Sequence, residues 1–476
     1  MSRYFASFIL ASALAGSLHG AARAADAVSA EPSCFSSAWD FLNSSLRDCP
    51  LKVGPVTLYG NIDGGYGHEA WGAPMGLNAD KPNYAIQRSS ARPTWLWSPN
   101  GTSTSVIGLR LAQKVFGEWE VIGVAEAGYN PFTFRLINGA QSLADNNLYS
   151  LPDQRTSFDS SRAGQWDNSQ GFAGLSHPTY GTLTYGRTNS LSQSALGAYD
   201  PTASTAFSQL GFSGGYAGFG ATQTTRVNSA LTYRLTYQGV RAAFQAQLGG
   251  YGTGNGATSQ YQGQIGFDYE KFSFDAIGGW AQNVMSLSTY GGGTLPAGYD
   301  PNSIVRATLS NSAGFMLLGR YDWKPFRFYL GYIYARSENP SNTYYPFGMN
   351  TVADGIIVPP GAVTTSNFTV ARVLSTVWTG MRYDVMKNLQ LSTGVYWETQ
   401  NNFLAPPDYC TGTGTSTSSS RCAGGRYSYS FMANYQVTPR INFYGGLMVS
   451  TVYGGLANGF QHAQNVDPTV GVRFRF

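Results

Sequence analysis

The stretch RYSYSFMANYQV, residues 426 to 437, puts Tyr427, Tyr429, Phe431, Ala433, Tyr435 and Val437 on one side of an extended chain, and Ser428, Ser430, Asn434 and Gln436 on the other. Side chains of a strand alternate between two faces, so a period of two describes a strand with one apolar face and one face of hydroxyls and amides. Phe326, Phe328, Leu330, Tyr332 and Tyr334 make a second apolar face of this kind. VTLYGNIDGGYG, from Val56, sets Val56, Leu58, Ile62 and Tyr66 against Thr57, Asn61 and Asp63. Similar segments recur as far as Phe476.

Composition decides what wets the apolar faces. A chain of 476 residues would ordinarily make two or three soluble domains. Here charged residues are only 12%, aromatics reach 14% and glycine fills 58 positions, yet past the N-terminal segment no apolar run reaches the length of a membrane helix. A bilayer forbids unpaired backbone amides, so only helices or closed barrels cross it. With helices excluded, a barrel remains, and its in-out alternation averages to the observed mean hydropathy of −0.19.

The segments come in pairs joined by short links: Gly117 with Glu118, His177 to Gly181, Gln238 with Gly239, Glu270 with Lys271, Lys324 with Pro325, Val385 to Asn388, and Thr438 to Arg440. These seven hairpins, a first strand near Val56 and a last near Thr469 predict an all-β, 16-stranded antiparallel transmembrane β-barrel. The expected strands run 55–67, 104–116, 118–129, 165–176, 182–187, 226–238, 240–250, 259–270, 271–284, 309–323, 326–337, 368–384, 388–400, 425–437, 440–453 and 467–476. The links 69–103, 130–164, 188–225, 284–308, 337–367 and 401–425 are long and rich in Gly, Ser, Thr, Asn and Pro, and are expected as external loops. Trp119, Trp280, Trp323, Trp378 and Trp397, near strand ends, are candidates for the interfacial girdles.

The first residues, Met-Ser-Arg followed by an apolar run from Tyr4 to Leu18 and the small residues around Ala21 to Ala24, read as a Sec signal peptide over 1–24. Ala25-Asp26-Ala27 offers a second cleavage site. Residues 25–54 form a separate N-terminal periplasmic extension, with a short helix expected in Ser37–Arg47, and 55–476 form the barrel. The extension could cap the mouth, enter the lumen or tether the barrel. In an oxidising periplasm the cysteines pair by proximity as Cys34 with Cys49 and Cys410 with Cys422. Neither pair has CxxC spacing or a neighbouring histidine cluster, so no metal or other cofactor is expected. Without Arg3 and Arg23 the chain keeps 28 basic residues against 26 acidic, which is no nucleic-acid signature.

Strand parity points Arg110, Lys114, Arg226, Arg234 and Arg241 inward, together with Asp63, Glu120 and Glu126. A charge on the lipid face near mid-bilayer costs about 2–4 kcal/mol, which favours the lumen. The rival reading for any one of these arginines is a rim contact with lipopolysaccharide phosphates or a salt bridge to a neighbour. The link 188–225 contains Asp200 as its only carboxylate. With cations in excess around the narrowing, weak anion preference is expected.

Four segments resemble the general, or diffusion, porins of Gram-negative outer membranes: VTLYGNIDGG at Val56, SVIGLRLAQKVFGEWEVIGVAEAGY from Ser105 (with Gly108, Gly117 and Glu126), GFAGLSHPTYGTLTYGR ending at Arg187, and RVNSALTYRLTYQG from Arg226. The terminal VGVRFRF, ending in Phe476, is similar to the assembly signal that the barrel-assembly machinery reads in such proteins. The resemblance implies an outer-membrane homotrimer, embedded in lipids and lipopolysaccharide, whose barrels are narrowed by an inward-folded third loop. Each would be a water-filled channel for passive diffusion of small hydrophilic solutes and ions. It also implies a basic wall at Arg110, Arg187 and Arg234, with Glu126 on the acidic side.

Two other functions compete, and adhesion or phage reception through the long loops would be compatible with a pore. Inward Tyr59, Tyr329, Tyr396 and Tyr444 could form a track for a sugar-specific channel. An outer-membrane enzyme would need an oriented base, and His19, His68, His177 and His462 have no evident serine partner. Gly60 and Gly64, on the outward face of the first strand, allow close approach of a second subunit or serve barrel closure.

Overall fold

The computed structural model describes residues 33–70, 94–134, 136, 169–212, 226–248, 259–282, 286–287, 307–308, 311–338, 352–353, 356–357, 370–403, 422–457 and 462–476. The alternating segments form sixteen barrel strands: β1 Val56–Glu69, β2 Val106–Phe116, β3 Trp119–Gly128, β4 Gln170–His177, β5 Gly181–Asn189, β6 Arg226–Tyr237, β7 Val240–Leu248, β8 Ser259–Tyr269, β9 Phe272–Gln282, β10 Asn311–Trp323, β11 Phe326–Glu338, β12 Arg372–Met386, β13 Leu389–Gln400, β14 Gly424–Gln436, β15 Ile441–Gly454 and β16 Gln464–Arg475. Each is antiparallel to the next, and β1 pairs with β16 from Asn61 opposite Arg475 to Gly67 opposite Thr469, closing the ring. Closure matters because an open edge would leave backbone amides facing hydrocarbon.

Alternation appears as burial. In β14, Tyr429 is 60% and Phe431 45% exposed on the outer face, whereas Ser428 and Ser430 are 0% and 3% exposed inside. The tight links take the conformations their residues allow. Gln238 and Gly239 both have positive φ (48° and 82°), the two-residue turn whose twist matches a hairpin.

Two further strands lie along β1. Leu51–Val53 pairs with its start and Thr94–Pro99 with its far half. The second falls in the span 69–103, expected as a loop. Its flanking prolines hide a four-residue alternation in which Trp95 and Trp97 reach Tyr66, with ring centroids 5.6 and 5.4 Å away. The expected girdle residue Trp378 is also corrected. Register places it opposite Gly331, and it is 1% exposed inside the barrel.

At the seam, the Gly60 and Phe476 backbones exchange two hydrogen bonds of 3.0 Å. A Cβ on Gly60 would sit 2.5 Å from the Val106 carbonyl oxygen and 2.6 Å from the Phe476 ring, and one on Gly64 2.8 Å from Phe132. Rings of the same chain therefore fill the space over both glycines.

The segment before β1 is a knot closed by the Cys34–Cys49 disulfide. Its helix α1 (Ala38–Asn43) is capped by Ser37, which accepts from the Asp40 amide at 3.1 Å. Arg440, in the β14–β15 turn and 0% exposed, donates to the carbonyls of Phe41 (2.7 Å), Cys49 (2.5 Å) and Ser45 (3.4 Å). Its guanidinium lies 3.9 Å from the Phe41 ring centroid. The knot thus sits at the short-turn end of the barrel. Cys422 is disulfide-bonded. Cys410 and the signal segment 1–24 lie outside the described residues.

Candidate pore constriction

The link from β5 to β6 turns into the barrel at Ser190, whose hydroxyl accepts from the Gln193 amide at 3.1 Å and caps α2 (Leu191–Tyr199). Gln262 of β8 accepts from the Leu191 amide at 2.9 Å. Leu191, Ala195, Leu196 and Tyr199 form one stripe of α2 and pack on Ile277, Met316, Leu318, Ile333, Trp378 and Tyr396, inward residues of β9 to β13. Burying one such leucine contributes about 1.5–3 kcal/mol, so the apolar inward positions hold the loop to the wall.

Polar anchors fix the stretch beyond α2. Trp378 Nε1 donates to the Tyr199 carbonyl at 3.1 Å. Asp200, 0% exposed, accepts from the Tyr396 hydroxyl (2.6 Å), the Ser204 amide (2.6 Å) and the Thr202 hydroxyl (2.9 Å). Burial pushes its carboxyl up, against the pull of these donors. Arg382 donates to the carbonyls of Pro201 (2.7 Å) and Asp200 (2.8 Å). Phe207 packs with Met432 and Tyr444, and the Ala206 amide donates to the Gly101 carbonyl at 2.9 Å.

Gly101 belongs to an excursion, residues 100–105, between Thr94–Pro99 and β2. Asp63, buried on β1, holds it by accepting from the amides of Gly101 (3.2 Å), Thr102 (2.9 Å) and Ser103 (2.9 Å), and from the Tyr444 hydroxyl (2.6 Å). The described part of the third loop, up to residue 212, therefore follows the inner wall from β8 to β15. Its side away from the wall carries Gln193, Ser194, Gly197, Ala198, Ala203 and Ser204, none of them charged.

The expected wall residues come together in part. Arg110 is exposed on the inner face of β2, its guanidinium 4.8 Å from the Tyr59 ring centroid. The Tyr59 hydroxyl donates to Glu126 at 2.9 Å, and Glu126 also accepts from Ser169 and, at 3.3 Å, from Gln170. Lys114 stands opposite Glu120, nearer the turn. Arg234 reaches across to the Ser194 hydroxyl of α2 at 3.2 Å. Arg187 is 3% exposed and donates to the Ser169 carbonyl at 3.0 Å.

Two of the expected residues stand apart from this wall. Asp200 is spent on anchoring the loop. Arg226 pairs with Asn189 across a register shift between Gly186 and Thr188, where Asn228 and Ser229 (φ 48°) oppose the single residue Arg187. Such a bulge flips parity, so the alternation does not carry from Arg234 to Arg226. Sequence reading passed over Arg320, Arg327 and Arg382, although the same parity in β10 to β12 points all three inward.

A family model for Gram-negative porins matches residues 10–454. This chain belongs to the Gram-negative porin family. The porin's barrel is similar to the anion-selective porin from Comamonas acidovorans, with a TM-score of 0.54 and 14% identity over 88% of this chain and 99% of that one. It is also similar to OmpT, an outer membrane protein of Vibrio cholerae. The loop L8 deletion mutant gives TM-score 0.52 and 12% identity over 88% and 99% of the two chains, and the in-vitro folded trimer form 0.52 and 11% over 89% and 100%. No curated protein matches the chain in sequence. Family and fold together make this porin an outer-membrane β-barrel and a diffusion channel.

Proposed function

We propose that this porin passes small hydrophilic solutes passively between the third loop and the wall of β2 to β6, with anions weakly favoured. The observation that carries the preference is an asymmetry. The open face of the loop has no charge, while Arg110, Lys114 and Arg234 face Glu120 and Glu126 across the remaining wall. Field in a narrow hydrated path, rather than a reaction, then decides passage. The neighbour from Comamonas acidovorans, described as anion-selective, agrees with this reading.

Reversal potentials in planar bilayers under a potassium chloride gradient test it. Wild type is expected to favour chloride, and Arg110→Gln with Arg234→Gln to lower the preference by about half. Clear cation selectivity in wild type would refute it. A sugar track is disfavoured because Tyr396 and Tyr444 are 0% and 4% exposed and hold the loop and the 100–105 excursion. The chemistry proposed is passage without catalysis: His68 faces the Val466 carbonyl and His177 accepts from the Thr179 amide, both at 3.1 Å.

The proposed assembly is a homotrimer folded by the barrel-assembly machinery in lipids and lipopolysaccharide, a reading favoured by the OmpT trimer form. The aromatic patch of Tyr66, Trp95, Trp97 and Phe132 over β1 is the surface we propose for the subunit contact.

A further inference from the structure

Below the rung at which α2 meets β10 and β11, the next inward positions change from apolar to charged. Arg320 stands opposite Tyr329, Asp322 opposite Arg327, and Arg327 opposite Arg382. Neighbouring strands lie about 4.8 Å apart, so the three long side chains share one patch of lumen. We propose that Arg320, Arg327 and Arg382 form a binding station for small oxyanions on the short-turn flank of the third loop. It rests on the channel reading and adds a site separate from Arg110.

Asp322 orients the station. One of its oxygens accepts from Arg320 Nε at 3.2 Å and the other from Arg327 Nε. Asp322 holds each guanidinium by Nε and leaves its terminal amino groups outside that contact, and the Arg320 and Arg327 side chains are 25% and 41% exposed. Arg382 lies 5.1 Å from the Tyr329 ring centroid and is steadied by the carbonyls of Asp200 and Pro201. Arg320 lies 5.8 Å from the ring centroid of Tyr199.

Charge favours an anion here. Three guanidinia share one carboxylate. Among the neighbours, Arg241 is matched by Asp268 and by Asp275 at 3.3 Å, and Asp384, one step nearer the turn, accepts from Gln390 at 2.7 Å. Planar forks with spare donors match the geometry of phosphate, sulfate or carboxylate better than that of chloride.

The test titrates inorganic phosphate into the compartment facing the short turns while chloride current is recorded in a planar bilayer. Wild type should show a saturable fall in current. Arg320→Gln with Arg327→Gln should raise the half-blocking concentration about threefold or more, as expected for partly solvated ion pairs. Lys387→Gln, which removes a charge from the adjacent turn, should leave the block unchanged. An unsaturated fall in wild type, or equal half-blocking concentrations in wild type and double variant, overturns the station. Should the double variant lose its barrel, Arg327→Gln alone supplies the comparison, since Asp322 keeps Arg320. Chloride reversal potentials report the constriction independently, so failure of anion preference is told apart from failure of this site.

Discussion

Asp200 is the one charged side chain of the third loop, and it faces protein instead of water. Because burial raises its pKa, its contribution to loop docking is full below the unfolded value near 4 and is lost as pH rises through the raised folded value. Open-channel current noise in wild type should therefore grow as pH rises above about 4. Asp200→Asn keeps the shape without the charge, and its noise should be flat over that range. Noise that is flat in wild type as well would contradict the link between charge and docking. Single residues also set the seam: a side chain at Gly60 would strike a backbone carbonyl that cannot yield.

Among the elements, the disulfide-closed knot depends on the β14–β15 turn through Arg440. Three carbonyls and a ring surround that guanidinium, and hydrogen bonds to a charged group contribute about 1.5–3 kcal/mol each when buried. Arg440→Gln should loosen the knot, so that trypsin cuts at Arg47 or Lys52 while the unheated barrel migrates as before. Equal protection of the two proteins would exclude the clasp. The strands were legible in the sequence because lipid and water impose alternation on every residue, as in β14. The Cys34–Cys49 pair was legible because its members are only 15 positions apart in the chain. Thr94–Pro99 was not, since prolines bracket too short an alternation. Trp378 shares the parity of Arg382 and could have been read as inward, whereas the bulge at Ser229 and the Tyr396–Asp200 bond were not legible. They are settled by contacts between residues far apart in the chain, and 196 positions separate that last pair. Of the candidate site, Tyr59, Arg110 and Glu126 could be read from parity and do meet. The anchoring of the third loop could not.

Over the whole barrel, a sheet with no free edges supplies a rigid frame, and the third loop is laid along one side of it by apolar and polar anchors together. The consequence lies in the loop's neutral open face. At the height of the third loop the passage pulls on a solute's net charge from the wall, and the loop's neutral face sets no charge across from that wall to align a dipole. A zwitterionic amino acid and an uncharged amide of equal girth should consequently swell liposomes at matching rates. A pronounced lag for the zwitterion would mean that a crosswise field acts there after all. If the rates match, the gate weighs and measures its traffic without turning it.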